Sequence, residues 1–145
     1  RWAFTLQMYF LYDRHKNHCV EGDIILDRSI YGDICFANIL KKQGLLDEEE
    51  HSSYLDHFKV MERNTYDLDL CIHLHTTTEE ALKRINKRDR SFESKISLDY
   101  LNLLQEELSN LPKHLSSKTR YVVIPWGQMN EKEIIQSISK IGSTL

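Results

Sequence analysis

An acidic and a basic side chain meet in the tripeptide Asp27-Arg28-Ser29, which directly follows the short apolar run 24–26. In open α/β sheets ligands bind outside the carboxyl ends of the strands, and the tripeptide takes that place if the run is a strand. The carboxylate of Asp27 could then hold Mg²⁺ directly or through water, while the guanidinium of Arg28 pairs with a base or a reacting oxygen. A helix-capping aspartate beside a surface arginine fits the tripeptide equally well.

Three arginines lie close together farther along the chain. Arg84 and Arg88 are four residues apart on a predicted helix and share a face, and Arg90 follows just past the end of that helix. Planar guanidinium groups suit phosphate oxygens and can stabilise a phosphoryl group in transfer. Because they lead into the polar segment 89–95, a mobile lid over phosphates is one interpretation, and a solvated basic helix end is the equal alternative.

Two polar side chains interrupt an otherwise apolar first segment. Gln7 and Arg14 are seven residues apart, about two helical turns, and place an amide and a guanidinium on one face. An amide can make a donor and acceptor pair with a nucleobase edge, although a single satisfied core glutamine is commoner. Asp33 and Phe36 on the next helix could add a polar contact and a flat apolar surface, although such a phenylalanine is more often core.

Helices and short strands must position these residues. We predict a mostly buried helix over 2–15, a strand buried on both faces over 23–27, and a parallel sheet covered by helices in one domain. The other predicted strands are 68–74 and 121–125, and the other helices are 30–42, 47–63, 77 to about 88, 97–111 and from 130 onward. Capping-box spacing marks three of the helix starts, at Asp47 and Glu50, Thr77 and Glu80, and Asn130 and Glu133.

Composition excludes several classes of protein. The chain has 145 residues, 41% apolar and 28% charged, which is typical of one globular domain. Its net charge of -3 provides no global basic field for nucleic acid, and its apolar runs are far shorter than the ~20 residues that cross a membrane. Three scattered cysteines favour reduced thiols and a cytoplasmic location. Zinc and serine-hydrolase motifs are absent.

Three blocks of the sequence together resemble the deoxynucleoside kinases, in the same order and spacing over nearly the whole chain. The resemblance implies a P-loop kinase-type α/β fold and ATP-dependent phosphorylation of a deoxyribonucleoside at its 5′-hydroxyl. The blocks are Arg1-Trp2-Ala3-Phe4-Thr5-Leu6-Gln7, then Asp27-Arg28-Ser29-Ile30-Tyr31-Gly32-Asp33 with Phe36-Ala37, and then Arg84-Ile85-x-x-Arg88-x-Arg90-x-x-Glu93 with Ile96-x-Leu98-x-Tyr100-Leu101.

The resemblance also implies a role for each candidate residue. On the nucleoside side, Gln7 would pair with the base, Arg14 and Asp33 would tune which base is accepted, Phe36 would pack on the base, and Glu93 would bond the sugar 3′-hydroxyl. On the phosphate side, Arg28 would contact the 5′-hydroxyl region, Asp27 would lie near Mg²⁺, and Arg84, Arg88 and Arg90 would cover the ATP phosphates from a lid at about 88–96. The loop 126–129 would lie near the adenine of ATP. Gln7 and Glu93 are thus expected to meet around a single sugar.

One family motif does not occur. No G-x-x-x-x-G-K-[ST] loop is found among the 145 residues. We therefore expect the chain to be the carboxyl-terminal two thirds of a kinase, without the first strands of its sheet. In the family the P-loop strand lies between 23–27 and 68–74, so we also expect the isolated segment to be unstable or to dimerise aberrantly, and to transfer no phosphate.

Alternatives to this function come from two classes. A thymidylate kinase or another nucleoside monophosphate kinase would share the sheet and the lid arginines, and a non-catalytic module would keep only the nucleoside pocket. The Trp-x-x-x-x-Gln block favours an unphosphorylated nucleoside. The apolar and aromatic helices 1–17 and 47–63 predict a homodimer.

Overall fold

A computed structural model of the chain describes residues 2–93 and 95–144. Arg1 of the first block and Ser94 of the predicted lid lie outside the described residues. The described part forms the following elements: α1 (Ala3–His18), α2 (Ile30–Lys42), α3 (Glu48–Glu62), β1 (Leu70–His75), α4 (Thr78–Arg88), α5 (Leu98–Asn110), β2 (Arg120–Pro125) and α6 (Glu131–Gly142), with 3₁₀ turns at Ser91–Glu93, Leu111–His114 and Trp126–Gln128.

The chain divides into two compact units, and the first is helical. This helical unit comprises residues 2–66 with 103–115. In it α1 packs against α2 and α3, and α2 packs against α3 and the turn Leu111–His114. Its core is built from branched and aromatic side chains, and the rings of Tyr31 and Phe58 meet edge to face with centroids 5.9 Å apart. Most of the fully buried apolar side chains of the described residues belong to this unit.

Exposure along α1 differs from the prediction. The apolar residues of this segment are mostly exposed, among them Trp2, which precedes α1, and Leu6, Tyr9 and Tyr12, whereas Gln7, Leu11 and His18 are buried. The prediction of a mostly buried helix was therefore wrong. Apolar residues surround the helix on all sides, and within the helical unit only one side of it meets α2 and α3.

The predicted strand 23–27 does not form. Residues 23–27 have no strand structure, Ile24 is half-exposed, and Ile25 is fully exposed. A strand needs a neighbour that accepts and donates its backbone hydrogen bonds, and the described residues of the helical unit include no strand. The run is apolar enough for a buried strand, but the described residues of its unit offer no neighbouring strand with which it could pair.

The second compact unit contains the sheet. This sheet unit comprises the described residues among 67–102 and 116–144. Strands β1 and β2 pair in parallel, from Leu70 opposite Arg120 to His75 opposite Pro125. A parallel pair needs a long crossover, and α4 and α5 lie between the two strands in sequence. The parallel pairing confirms the α/β prediction, and the predicted strands 68–74 and 121–125 agree with β1 and β2 to within two residues.

The capping residues in the sequence predicted the starts of three helices correctly. Both halves of the capping box are present at the starts of α3 and α6, where Asp47 pairs with Glu50 and Asn130 pairs with Glu133. At α4 the Thr77 hydroxyl accepts a hydrogen bond from the Glu80 amide. None of the described helices combines the length and apolar composition that a membrane crossing requires.

Candidate functional site

An ion pair between two helices is the most enclosed charged feature of the helical unit. Arg14 of α1 donates from Nε to Oδ1 of Asp33 on α2 at 2.7 Å, with Asp33 only 3% exposed and Arg14 23% exposed. Burial raises the pKa of Asp33, and the hydrogen bond and charge of Arg14 oppose that rise. The second oxygen, Oδ2, is buried and has no hydrogen-bond partner among the described residues. The pair therefore keeps one carboxylate oxygen free to accept a hydrogen bond.

Two more polar side chains are buried in the helical unit. Gln7 lies two turns before Arg14 on α1 and is 8% exposed. Tyr54 of α3 is fully buried, and its hydroxyl has no hydrogen-bond partner among the described residues. Burial raises the pKa of Tyr54, and the Asp33 carboxylate raises it further. Sequence reasoning missed Tyr54, whose only signal is its place on the apolar face of α3.

The tripeptide 27–29 leads directly into α2. Ser29, with extended backbone, is the N-cap of α2, so the alternative of a helix-capping Asp27 was wrong. Arg28 has a positive φ of 71°, which side chains other than glycine adopt rarely. Its guanidinium lies over the ring of Phe36, 5.0 Å from the centroid. The arginine and the aromatic that the sequence singled out are thus in contact.

Asp27 is the chain's candidate ligand for a metal ion. Its side chain is exposed, and the described residues contain no group of three or more histidine, cysteine or carboxylate side chains placed to hold a metal. Mg²⁺ retains several waters and binds one or two carboxylates together with substrate phosphates. A single accessible carboxylate fits that mode of binding and does not fit a metal site built from protein ligands alone.

Two arginines of the sheet unit converge on one carboxylate. Glu93 is 9% exposed and accepts hydrogen bonds at Oε2 from Arg88 Nε (3.0 Å) and Nη2 (2.7 Å). Arg90 approaches the other oxygen at 3.7 Å. Asp89, in the left-handed conformation with a φ of 49°, ends α4 between these arginines. The chain turns there, and this turn brings Arg90 and Glu93 back beside Arg88.

Arg84 lies in a different environment. Its Nε donates to Oε1 of Glu80 at 3.0 Å, and its guanidinium stacks over the Trp126 ring, 4.7 Å from the centroid. Trp126 begins the 3₁₀ turn after β2, and a Cβ on the next residue, Gly127, would lie 3.2 Å from Thr76 Oγ1. The small residue lets this turn approach β1. Arg88 and Arg90 therefore share a carboxylate, while Arg84 contacts the loop predicted to lie near adenine.

A buried polar network was not anticipated from the sequence. Glu107 of α5 is 6% exposed, accepts from Asn38 Nδ2 at 2.9 Å, and pairs with Lys42 at 2.8 Å. Burial by itself would raise the pKa of Glu107, but the hydrogen bonds from Lys42 and Asn38 lower it overall. His51 Nε2 lies 2.8 Å from Asn38 Oδ1. These contacts hold α2, α3 and the end of α5 together.

Comparisons with known proteins agree on one family. The family model for deoxynucleoside kinase matches residues 1–141. The chain is 30% identical to the deoxyadenosine kinase of Dictyostelium discoideum over an alignment 145 residues long, gaps included, that covers 97% of this chain and 59% of that protein. It is 32% identical to the deoxyadenosine/deoxycytidine kinase of Bacillus subtilis (strain 168) over 117 residues, which cover 76% of this chain and 54% of that protein.

Solved structures give the same result. The deoxyadenosine kinase of M. mycoides with bound dATP superposes with a TM-score of 0.80 at 25% identity, covering 97% of this chain and 75% of that one. The same enzyme with the products dCMP and dCDP gives a TM-score of 0.81 at 25% identity, covering 98% of this chain and 74% of that one. The chain spans about half the length of the curated relatives it matches.

Proposed function

Because the chain belongs to the deoxynucleoside kinase family and has the α/β fold of a P-loop kinase, we propose that the full-length protein transfers the γ-phosphoryl group of ATP to the 5′-hydroxyl of a deoxyribonucleoside. Among the 145 residues no G-x-x-x-x-G-K-[ST] loop occurs, so the activity is proposed for the full-length protein and not for this segment. The observation that carries the proposal is the buried Arg14–Asp33 pair with its free oxygen, on the helices that also hold Gln7 and Phe36.

The helical unit would recognise the base. In our proposal the Gln7 amide pairs with the base edge, Phe36 packs on the base, and the Arg14–Asp33 pair selects among bases. The free oxygen of Asp33 is an acceptor, and it suits a base that offers an exocyclic amino group. We therefore propose a preference for purine deoxynucleosides or deoxycytidine over thymidine. Arg14 holds the Asp33 carboxylate in place before the substrate arrives, so binding costs little side-chain conformational entropy.

Arg28 would act at the reacting end of the substrate. Its guanidinium already lies against Phe36, and we propose that it hydrogen-bonds the 5′-hydroxyl region and lies near the transferring phosphoryl group. Bound Mg²⁺ would supply positive charge to the ATP phosphates, and Asp27 would hold it directly or through water. Arg28 would restrain the attacking hydroxyl in line with the phosphorus, which lowers the orientational cost of the reaction.

The sheet unit would bind phosphates and the sugar. We propose that Arg84, Arg88 and Arg90 contact the ATP phosphates and that Glu93 bonds the 3′-hydroxyl of the sugar. Arg88 and Arg90 neutralise Glu93 before any ligand binds. When ATP binds, its phosphates would compete with Glu93 for Arg88 and Arg90. The Glu93 carboxylate would then be available to accept a hydrogen bond from the sugar hydroxyl. That Gln7 and Glu93 meet around one sugar stays a prediction.

A phosphate-transfer assay of the full-length protein tests the function. Purified protein with ATP and Mg²⁺ is offered deoxyadenosine, deoxyguanosine, deoxycytidine and thymidine, and in parallel their 5′-monophosphates. We expect turnover of the nucleosides, with those that carry an amino group preferred. Preference for monophosphates would identify a nucleoside monophosphate kinase instead. Binding of nucleosides without any turnover would identify a non-catalytic binding module.

We also propose that the full-length protein is a single-domain, cytoplasmic homodimer. The exposed apolar side chains Trp2, Leu6 and Tyr9 follow helical spacing along one side of α1, and α3 carries the exposed Val60. Sedimentation analysis of the full-length protein should give a dimer, which Tyr9→Glu dissociates. Lys113→Glu, a charge change outside these helices, is the matched control and should leave the dimer intact.

A further inference from the structure

The start of α2 is capped from another helix. The first N–H groups of a helix have no partner within it, and a serine N-cap ordinarily supplies one from its side chain. Ser29 makes no such side-chain hydrogen bond. Instead the Ile30 amide donates to Nε2 of His18, at the end of α1, over 3.4 Å. His18 is 1% exposed and Ile30 is fully buried, so no solvent competes for this contact.

The contact with Ile30 fixes which nitrogen of the His18 ring carries the proton. An Nε2 that accepts a hydrogen bond carries no proton, so in the neutral ring the proton is on Nδ1. Burial lowers the pKa of His18, and the neighbouring His15 lowers it further, which agrees with a neutral ring. The ring meets Tyr31 edge to face with centroids 6.4 Å apart, and its Nδ1 is buried with no hydrogen-bond partner among the described residues. The Ile30 amide is therefore the hydrogen-bond partner that the structure gives this imidazole among the described residues.

A strained residue precedes this contact by two positions. Arg28 has a φ of 71°, in the left-handed region that side chains other than glycine adopt rarely and under strain. Such strain persists only where the surrounding structure holds it. On the carboxyl side of Arg28 that restraint begins at Ile30, whose side chain is buried and whose amide is bound by His18.

We propose that His18 is a positioning residue for Arg28: by accepting the amide hydrogen of Ile30 it fixes the start of α2 and maintains the backbone conformation that places the Arg28 guanidinium over Phe36. The inference rests on the proposed function only for the role of Arg28 in catalysis. The contact itself is a property of the helical unit and can be measured without any substrate.

Substitution of His18 in the full-length protein tests the kinetic consequence. His18→Phe keeps a ring beside Tyr31 but removes the acceptor, whereas His18→Gln provides a carbonyl oxygen that can accept from Ile30. We expect His18→Phe to lower kcat about 5- to 100-fold, with a smaller change in the KM for the nucleoside, because a buried amide loses its partner and Arg28 loses its restraint. His18→Gln should recover most of the activity. His114→Phe makes the same change at a histidine of the turn 111–114 and should leave kcat unaltered.

A spectroscopic measurement separates this inference from the proposed function. In the wild-type full-length protein, ¹⁵N chemical shifts should show Nδ1 of His18 protonated and Nε2 bare. In His18→Phe, hydrogen exchange at the Ile30 amide should become faster, and in His18→Gln it should stay slow. The opposite tautomer, or exchange at Ile30 that His18→Phe does not change, would overturn the inference whatever the enzymatic activity. Altered exchange with wild-type kcat in His18→Phe would overturn the link to Arg28.

Discussion

The two units place their candidate functional charges in opposite environments. In the helical unit the Arg14–Asp33 pair is largely buried, with Asp33 only 3% exposed. In the sheet unit Arg88 and Arg90 are about half exposed and share one enclosed carboxylate, Glu93. A buried pair keeps a fixed geometry because each partner would lose solvation if it moved, whereas exposed arginines can change partners at little cost. This contrast supports the proposal that the helical unit recognises a rigid base and the sheet unit binds flexible phosphates.

The largest expected effect tests the buried side of this comparison. Arg14→Met in the full-length protein leaves the buried Asp33 carboxylate without its cationic partner, and the free energy of unfolding should fall by about 2–4 kcal/mol, because burial already raises the pKa of Asp33 and Arg14 opposes that rise. Urea denaturation measures it. The matched control is Lys59→Met, which removes the exposed partner of Asp56 and should change stability by less than about 0.5 kcal/mol. Equal losses in the two variants would mean that burial does not distinguish these pairs.

The second prediction tests the sheet unit. Glu93→Gln removes the charge that Arg88 and Arg90 share, but water can solvate these half-exposed arginines, so stability should change by less than about 1 kcal/mol. In contrast kcat/KM for the deoxynucleoside should fall about 10- to 100-fold, because the sugar hydroxyl loses a charged acceptor and keeps at most the weaker amide oxygen. Denaturation and steady-state kinetics of the same preparation measure both quantities. A loss of stability as large as that of Arg14→Met would remove the contrast between the units.

The third prediction uses pH. Burial lowers the pKa of His18 and His51 in the helical unit and of His73 in the sheet unit. These histidines bind protons more readily in the unfolded chain, so their contribution to stability is present above about pH 6.5 and is lost as the pH falls through their folded-state pKa values. Unfolding free energies of the full-length protein should fall from pH 7 to pH 5, by at most about 1.4 kcal/mol per pH unit for each histidine.

Histidine-to-glutamine variants show which unit causes the dependence of the unfolding free energy on pH. His18→Gln and His51→Gln together should flatten the dependence on pH more than His73→Gln does, because two of the three histidines lie in the helical unit. A slope that none of these variants alters would contradict the prediction.

The smallest expected effect concerns Arg84 and Trp126. A cation–π contact of this exposed kind contributes about 0.5–1 kcal/mol, so Trp126→Leu should raise the KM for ATP by about two- to fivefold. The KM for the deoxynucleoside should not change. Trp126→Phe keeps an aromatic face and should be nearly normal. An equal rise in both KM values would show that Trp126 acts on the fold and not on Arg84.

Some features of this protein were determined by the sequence alone. The capping boxes at Asp47 and Asn130 mark real helix starts, and strands β1 and β2 appear where the apolar runs predict them. The residues that carry the family resemblance were also identifiable in advance, since side-chain types at fixed spacing are read directly from the chain. Capping and periodicity are local, because the interacting groups are only a few residues apart.

Other features were decided only by the tertiary structure. The run 23–27 is as apolar as a buried strand, but it has no neighbouring strand in its unit; α1 is rich in apolar residues, but only one side of it is packed. The partners of Arg84 and Arg88 differ although the two residues share a helix face. Burial and pairing depend on groups that are far apart in sequence, and no spacing along one segment specifies which of them will meet.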